Sequence, residues 1–261
     1  MKITLIQTRL AWEQPEKNRA NFGQLINSIS ENTDLIILPE MFTTGFTMAP
    51  EINAEPVQGA TLAWMREMAT KKNAVICGSV SVEENKKFYN RLYWVEPQGS
   101  YKTYDKRHLF RMADEDQHYT AGNKKLITEL KDWKLCPLVC YDLRFPVWSR
   151  NRFKNGSWDY DVLIYVANWP TVRAYPWKQL LIARAIENQC YVIGLNRIGE
   201  DGNGYDHSGD SLVIGPKGDV LSAIPPSQEN VFTISLDKTS LEEFRTKFPA
   251  GLDADDFEIK F

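Results

Sequence analysis

Cysteine 140 closes an apolar run and opens a charged one in LVCYDLRFP, residues 138–146. A structural thiol is normally enclosed by apolar neighbours, whereas Tyr141, Asp142 and Arg144 follow this one at once and Pro146 ends the segment. Two other apolar runs stop in the same way: DLIILP leads into Glu40, and DVLIYVAN ends at Asn168, ahead of Trp169. An ammonium, Lys106, ends the extended SYKTYDK. Together these supply a thiol to attack a carbonyl, a carboxylate to take its proton and pass it to a leaving amine, and a cation for the tetrahedral oxyanion. Those are the parts of a thiol amidase. Each part alone has a plainer reading, since a lone cysteine is usually packing, Glu40 could cap a turn, and Lys106-Arg107-His108 would be a solvated basic cluster. What favours a site is that apolar strands end in these groups, because α/β sheets gather ligands outside the carboxyl ends of their strands.

Positioning such groups requires a regular alternation of elements, and the chain supplies one. KITLIQT (2–8) reads as a strand, and Phe22, Leu25, Ile26 and Ile29 recur at helical spacing behind Pro15, a good first-turn residue. DLIILP is a continuous apolar run, as in a strand covered on both faces. A helix is expected at 60–72, then the strand AVICGSVSV and the pair KFYNRLYWVEP and SYKTYDK around Pro97-Gln98-Gly99. KLCPLVC, DVLIYVAN and CYVIGLNR read as strands, and PWKQLLIARAIENQC as a helix. SGDSLVIGPKGDVLSAI gives two strands around Pro216-Lys217-Gly218, NVFTISL a further one, and TSLEEFRTKF a helix capped by Thr239 or Ser240. Buried strands alternating with amphipathic helices from end to end indicate an α/β fold and one domain over residues 1–261. Within it, about 240–261 form a C-terminal helix and an acidic tail able to dock on a neighbouring subunit.

Composition leaves the class open but removes several alternatives. The 261 residues are 43% hydrophobic and 25% charged, ordinary for a globular protein, and the net charge of −3 creates no field that would draw nucleic acid or an anionic membrane. A small-molecule substrate is therefore expected, with no nucleic-acid or membrane partner. The first apolar stretch is too short and interrupted for a signal peptide, and no run is long enough to span a bilayer, so a cytoplasmic location is expected. Cys77, Cys136, Cys140 and Cys190 lack disulfide-rich spacing and read as thiols. Along a strand Cys136 and Cys140 would lie roughly 13 Å apart, too far to bridge. His108 and His118 offer a Cys–His alternative, but no sequence of a known Cys–His class surrounds Cys140. The histidines are too few and too poorly spaced for a zinc site.

LPEMFTTGF around Glu40, YDKRHLF around Lys106 and VCYDLRFP around Cys140, in that order, resemble the Glu-Lys-Cys motifs of the nitrilase (carbon-nitrogen hydrolase) superfamily. ARAIENQCYVIGLNR (183–197) and HSGDSLVIGPKGDVL (207–221) resemble its later segments. NWPTVRAYPW and the closing FRTKFP…LDAD are similar to the omega-amidase branch. The resemblance implies an αββα sandwich of two mixed β-sheets covered by helices, no cofactor, and association through a helical face into a homodimer or larger homo-oligomer. It also implies that Cys140 attacks, Glu40 serves as general base and then acid, and Lys106 stabilises the oxyanion with the backbone N–H after the cysteine. Glu115 would be the second active-site glutamate. A thiolate beside Lys106 would have a lowered pKa and be alkylated ahead of the other cysteines.

The implied reaction is hydrolysis of the terminal amide of small 2-oxo dicarboxylic acid monoamides, such as 2-oxoglutaramate and 2-oxosuccinamate, to the acid and ammonia through a thioester. Another carbon-nitrogen hydrolase, acting on a carbamoyl compound, an aliphatic amide or a nitrile, is an alternative. A catalytically silent metabolite-binding subunit is another. Arg144 either buttresses the cysteine loop through Asp142 or binds a substrate carboxylate. Arg173 is a second candidate for that carboxylate, and Phe46, Tyr141 and Trp169 are candidate apolar walls.

Overall fold

The parity of the apolar residues assigns the N-terminal strands two different partners. In the computed structural model, which describes residues 1–260, the first sheet contains β1 (Lys2–Gln7), β2 (Leu35–Ile37), the two-residue β3 (Glu55–Pro56), β4 (Val75–Glu84), β5 (Lys87–Val95) and β6 (Tyr101–Asp105). Ile3, Leu5, Leu35, Ile37, Val75, Cys77, Leu92 and Trp94 join one apolar cluster; Ile6, Ile36, Leu38, Ala74, Ile76, Tyr93 and Val95 join another. Side chains alternate across a strand, so the sheet packs on both faces. Its outer face carries α1 (Pro15–Ser28) and, after the one-turn α2 (Pro50–Asn53), α3 (Ala60–Lys72). Phe22 and Ile26 of α1 and Leu62, Met65 and Met68 of α3 fill that layer.

The inner cluster continues into a second sheet built from β7 (Thr128–Leu130), β8 (Trp133–Val139), β11 (Val162–Ala167), β12 (Tyr191–Asn196), β13 (Leu212–Ile214) and β14 (Val220–Ala223). Between β8 and β11 lies a separate hairpin of β9 (Phe153–Lys154) and β10 (Ser157–Trp158). The last strand, β15 (Asn230–Ser235), returns to the first sheet and pairs antiparallel with β1, Lys2 opposite Ser235. Strand orders are β15-β1-β2-β4-β5-β6, with β3 on β4, and β14-β13-β12-β11-β8-β7. In each sheet the middle strands are parallel, β1-β2-β4 and β8-β11-β12, and the flanking pairs are antiparallel. Two mixed sheets covered by helices is the architecture expected.

Of the remaining helices, α4 (Glu115–His118) and α5 (Pro146–Ser149) are single turns, α6 (Ala174–Asn188) covers the second sheet, and α7 (Lys238–Lys247) closes the chain. Trp177 and Leu181 of α6 lie so close to Gly194 on β12 that a Cβ there would meet Leu181 at 2.3 Å. The cap of α7 is Asp237, not Thr239 or Ser240: its backbone is extended and its carboxylate accepts from the Ser240 N–H at 3.3 Å. The tail beyond α7 lies on its own chain, with Ile259 packed against the inner core and Asp256 paired to Lys154 at 2.8 Å; Phe261 falls outside the described residues. No helix among the described residues is long and apolar enough to cross a membrane.

Candidate active site

Three strand ends and one short turn deliver the functional side chains. Glu40 lies three residues beyond β2, held in place by neighbouring bonds: the Leu38 N–H to the Cys77 carbonyl (2.7 Å) and the Met41 N–H to Ser79 Oγ (2.9 Å). Lys106 follows β6, where the β5–β6 register of Arg91 with Asp105 runs on into a bond from the Lys106 N–H to the Asn90 carbonyl (3.0 Å). Glu115 opens α4. Cys140 follows β8 with φ of 44°, a left-handed conformation uncommon for a residue with a Cβ. Such strain is seen where surrounding structure over-determines a functional group. The restraint here is Asp142, whose carboxylate accepts from the Val139 N–H (3.1 Å), the Tyr104 hydroxyl (2.7 Å) and the His108 N–H (3.0 Å), and contacts His108 Nδ1 at 2.8 Å.

The three charged groups form one buried cluster. Lys106 Nζ donates to Glu40 Oε1 (2.9 Å) and to both oxygens of Glu115 (3.0 and 2.9 Å), and none of the three side chains is exposed. Asn90 Nδ2 donates to Glu40 Oε1 (2.8 Å) and Glu115 Oε1 (3.3 Å). Glu40 Oε2 accepts the Asn168 N–H (2.8 Å), while the Asn168 carbonyl faces Cys140 Sγ at 3.9 Å. Burial alone would pull the Lys106 ammonium down, but Glu115 and Glu40 outweigh it and hold it up. Burial raises Glu115, with Lys106 opposing and Glu40 adding to the rise.

Cys140 overturns the expectation of an acidic thiol. Burial and the adjacent Glu40 push it well above its ordinary value, and Lys106 offsets only part of this. The resting sulfur is therefore a thiol that must surrender its proton to become a nucleophile.

Cys140 and Lys106 open into a cavity of about 370 Å³ whose walls include Phe46, Phe110, Tyr141, Arg144, Trp169 and Arg173. The Lys106 ammonium lies 4.9 Å from the centre of the Phe46 ring. Arg144 sits over Trp169 at 4.9 Å and Arg173 over Phe110 at 5.4 Å. Among the described residues neither guanidinium has a carboxylate partner. Asp142 is already occupied by other donors, so it does not tie down Arg144. His108 is likewise engaged, bonded to Asp142 and stacked on Phe145 at 3.8 Å.

Residues 2–246 match the family model for carbon-nitrogen hydrolases. The chain belongs to the carbon-nitrogen hydrolase family. It is 47% identical over 259 residues to the omega-amidase YafV of Escherichia coli K12, covering 99% of this chain and 98% of that one. It is 35% identical to the 2-oxoglutaramate amidase of Bacillus subtilis, covering 95% of each. Among solved structures, XC1258 of Xanthomonas campestris, a CN-hydrolase superfamily protein with an arsenic adduct in its active site, superposes with a TM-score of 0.97 at 44% identity, covering 100% of this chain and 99% of that one.

In this hydrolase all nine side chains singled out in the sequence gather at one place. Glu40, Lys106 and Glu115 meet by direct bonds, Cys140 lies beside them, and Phe46, Tyr141, Arg144, Trp169 and Arg173 line the cavity. Asn90 was not singled out, although a polar residue in phase with Leu92 and Trp94 on an inward strand face is a readable signal. Asp201, Asn203, Tyr205 and His207, also on the cavity wall, come from the turn-rich GEDGNGYDH. That segment carries no spacing that marks a site.

Proposed function

We propose that this hydrolase is an omega-amidase that cleaves the terminal amide of small 2-oxo dicarboxylic acid monoamides, with 2-oxoglutaramate and 2-oxosuccinamate as the substrate class. The observation that carries the substrate class is the pair Arg144 and Arg173, two cations without carboxylate partners among the described residues, in the cavity that holds Cys140 and Lys106. Each charge-assisted hydrogen bond to a substrate carboxylate is worth roughly 1.5–3 kcal/mol. The relatives named omega-amidase and 2-oxoglutaramate amidase support the same reading.

In the mechanism we infer, Glu40 takes the Cys140 proton as the sulfur attacks the amide carbonyl. Lys106 and the Tyr141 N–H stabilise the tetrahedral oxyanion. Glu40 then protonates the leaving nitrogen, ammonia departs and a thioester remains. Water, deprotonated by Glu40, attacks the thioester, and collapse of the second tetrahedral intermediate returns the thiol and the free acid. Glu115 holds Lys106 and contributes to the charge balance. All steps use this chain's own groups. We read residues 1–261 as one hydrolase unit, acting in the cytoplasm, where its four free thiols suit a reducing environment. Exposed Val172, Tyr175 and Ile186 on and beside α6 favour a homo-oligomer joined through that helical face.

A panel of amides with ammonia release as the readout tests the proposal. 2-Oxosuccinamate is expected to be turned over far faster than butyramide, and Arg144→Ala to narrow that gap by lowering activity on the acid alone. No preference for the charged amide would leave only the broader hydrolase reading.

A further inference from the structure

Asn90 occupies a place on β5 that packing would give to an apolar residue. It is 1% exposed and in phase with Leu92 and Trp94, both of which belong to the core between the sheets. Its Oδ1 has no partner among the described residues, and leaving a buried acceptor unsatisfied costs free energy. What the amide does provide is a donor, since Nδ2 reaches Glu40 Oε1 at 2.8 Å and Glu115 Oε1 at 3.3 Å. Its main-chain carbonyl also accepts the Lys106 N–H at 3.0 Å. One residue therefore touches all three members of the charge cluster.

The cluster holds two carboxyl groups and one ammonium, and only a neutral donor can bond both carboxyls without altering that balance. We propose that Asn90 is a positioning residue for Glu40, orienting its carboxylate and stabilising its charged form so that it can accept the Cys140 proton. This rests on the assignment of Glu40 as the proton carrier. The titratable groups facing Glu40 are Lys106 from the end of β6, Glu115 from α4 and Cys140 from the turn after β8. Replacing Asn90 keeps the identity of all three, although Glu115 also loses its 3.3 Å bond from Nδ2.

The test is Asn90→Leu, assayed for kcat and KM on the best amide of the panel across a pH series, with circular dichroism to verify folding. A lost hydrogen bond to a carboxylate favours its protonated form. The expected result is a kcat about 10-fold lower or more, KM nearly unchanged, and an acid limb of kcat/KM displaced to higher pH. If the Leu variant does not fold, the smaller and equally neutral Asn90→Ala, which also offers no donor, reads the same two quantities. An unchanged kcat, an effect on KM alone, or a fall in kcat with an unmoved acid limb overturns the proposal. Glu40→Gln is measured alongside. An inactive Glu40→Gln beside an unaffected Asn90→Leu overturns the Asn90 role alone, whereas a wild-type rate in Glu40→Gln overturns the assignment of Glu40 and the proposal with it.

Discussion

At Cys140 the environment opposes the charge that catalysis needs, and this has two consequences of opposite sign. Burial and Glu40 hold the sulfur protonated, so iodoacetamide should modify it slowly at pH 7 and faster as the pH is raised. It should still react ahead of Cys77, Cys136 and Cys190, because it is 8% exposed and opens into the cavity while the others are fully enclosed. Glu40→Gln removes a neighbour that raises the thiol and leaves Lys106, which lowers it. Alkylation of Cys140 in that variant should therefore accelerate at pH 7, even as turnover falls by the ~10²-fold or more that a lost general base costs. Slower alkylation together with slower turnover would mean that Glu40 does not press on the thiol. Cys140→Ala should fold and release no ammonia. Glu40, Lys106 and Cys140 were legible in the sequence because Glu40 and Cys140 end apolar runs, Lys106 ends an extended segment, and each sits in a short distinctive motif. The direction of the thiol's pKa was not, because it depends on which neighbour lies nearer and how deep the group is buried, neither of which a motif encodes.

The element that matters most is the turn from β8 into the 3-10 segment Cys140–Arg144, and its geometry depends on Asp142. The carboxylate gathers donors from Val139, Tyr104 and His108. Tyr104 in turn accepts from Trp148 Nε1 at 3.0 Å, so the turn is braced from β6 and from α5. Asp142→Asn keeps the shape but turns an amide NH₂ toward groups that are themselves donors. The expected result is a folded protein with kcat/KM down by about 10²-fold, since a small displacement of a nucleophile costs that much, and with Cys140 still alkylated. Unimpaired turnover would show that the left-handed cysteine does not need this anchor. The strand ends themselves were readable from Pro39, from the polar residues after Val139 and from Asn168. The brace was not, because Tyr104 and His108 lie 38 and 34 residues from Asp142 and meet it only when the sheets pack. Helix α7 shows the same limit at short range: Asp237, Thr239 and Ser240 are all competent caps, and the path of the chain out of β15 decides among them.

Over the whole molecule, the two sheets meet through side chains whose parity was visible in the sequence, but the attachment of the C-terminal helix was not. Arg245 of α7 donates to Asp161 Oδ1 (2.7 Å), to the Tyr160 carbonyl (2.9 Å) and to the Gln189 carbonyl (2.8 Å), and lies over the Trp158 ring at 4.5 Å. Lys238, at the other end of the helix, reaches Asp161 Oδ2 at 2.9 Å. Both ends of α7 are thus strapped to one carboxylate at the start of β11, 77 and 84 residues away in sequence. Removing one partner of a buried pair costs about 3 kcal/mol or more, and without Arg245 the Asp161 carboxylate would keep, among the described residues, only Lys238 and the Lys134 N–H. Arg245→Met, which keeps the apolar stem, should therefore lower the unfolding midpoint by roughly 6–12 °C at pH 7. The pH dependence identifies the partner. Burial would raise Asp161, but the Lys134 N–H, Lys238 and Arg245 outweigh it and hold its carboxyl below the usual value of 3.8. A group whose folded value is depressed stabilises the protein above its unfolded value, and that contribution is lost as the pH falls through the folded one. The difference in midpoint between wild type and Arg245→Met should accordingly persist from pH 7 to pH 5 and shrink as the pH falls below 4. A difference that stays constant to pH 3 would assign the loss to the carbonyl bonds and the Trp158 contact instead of to the charge on Asp161.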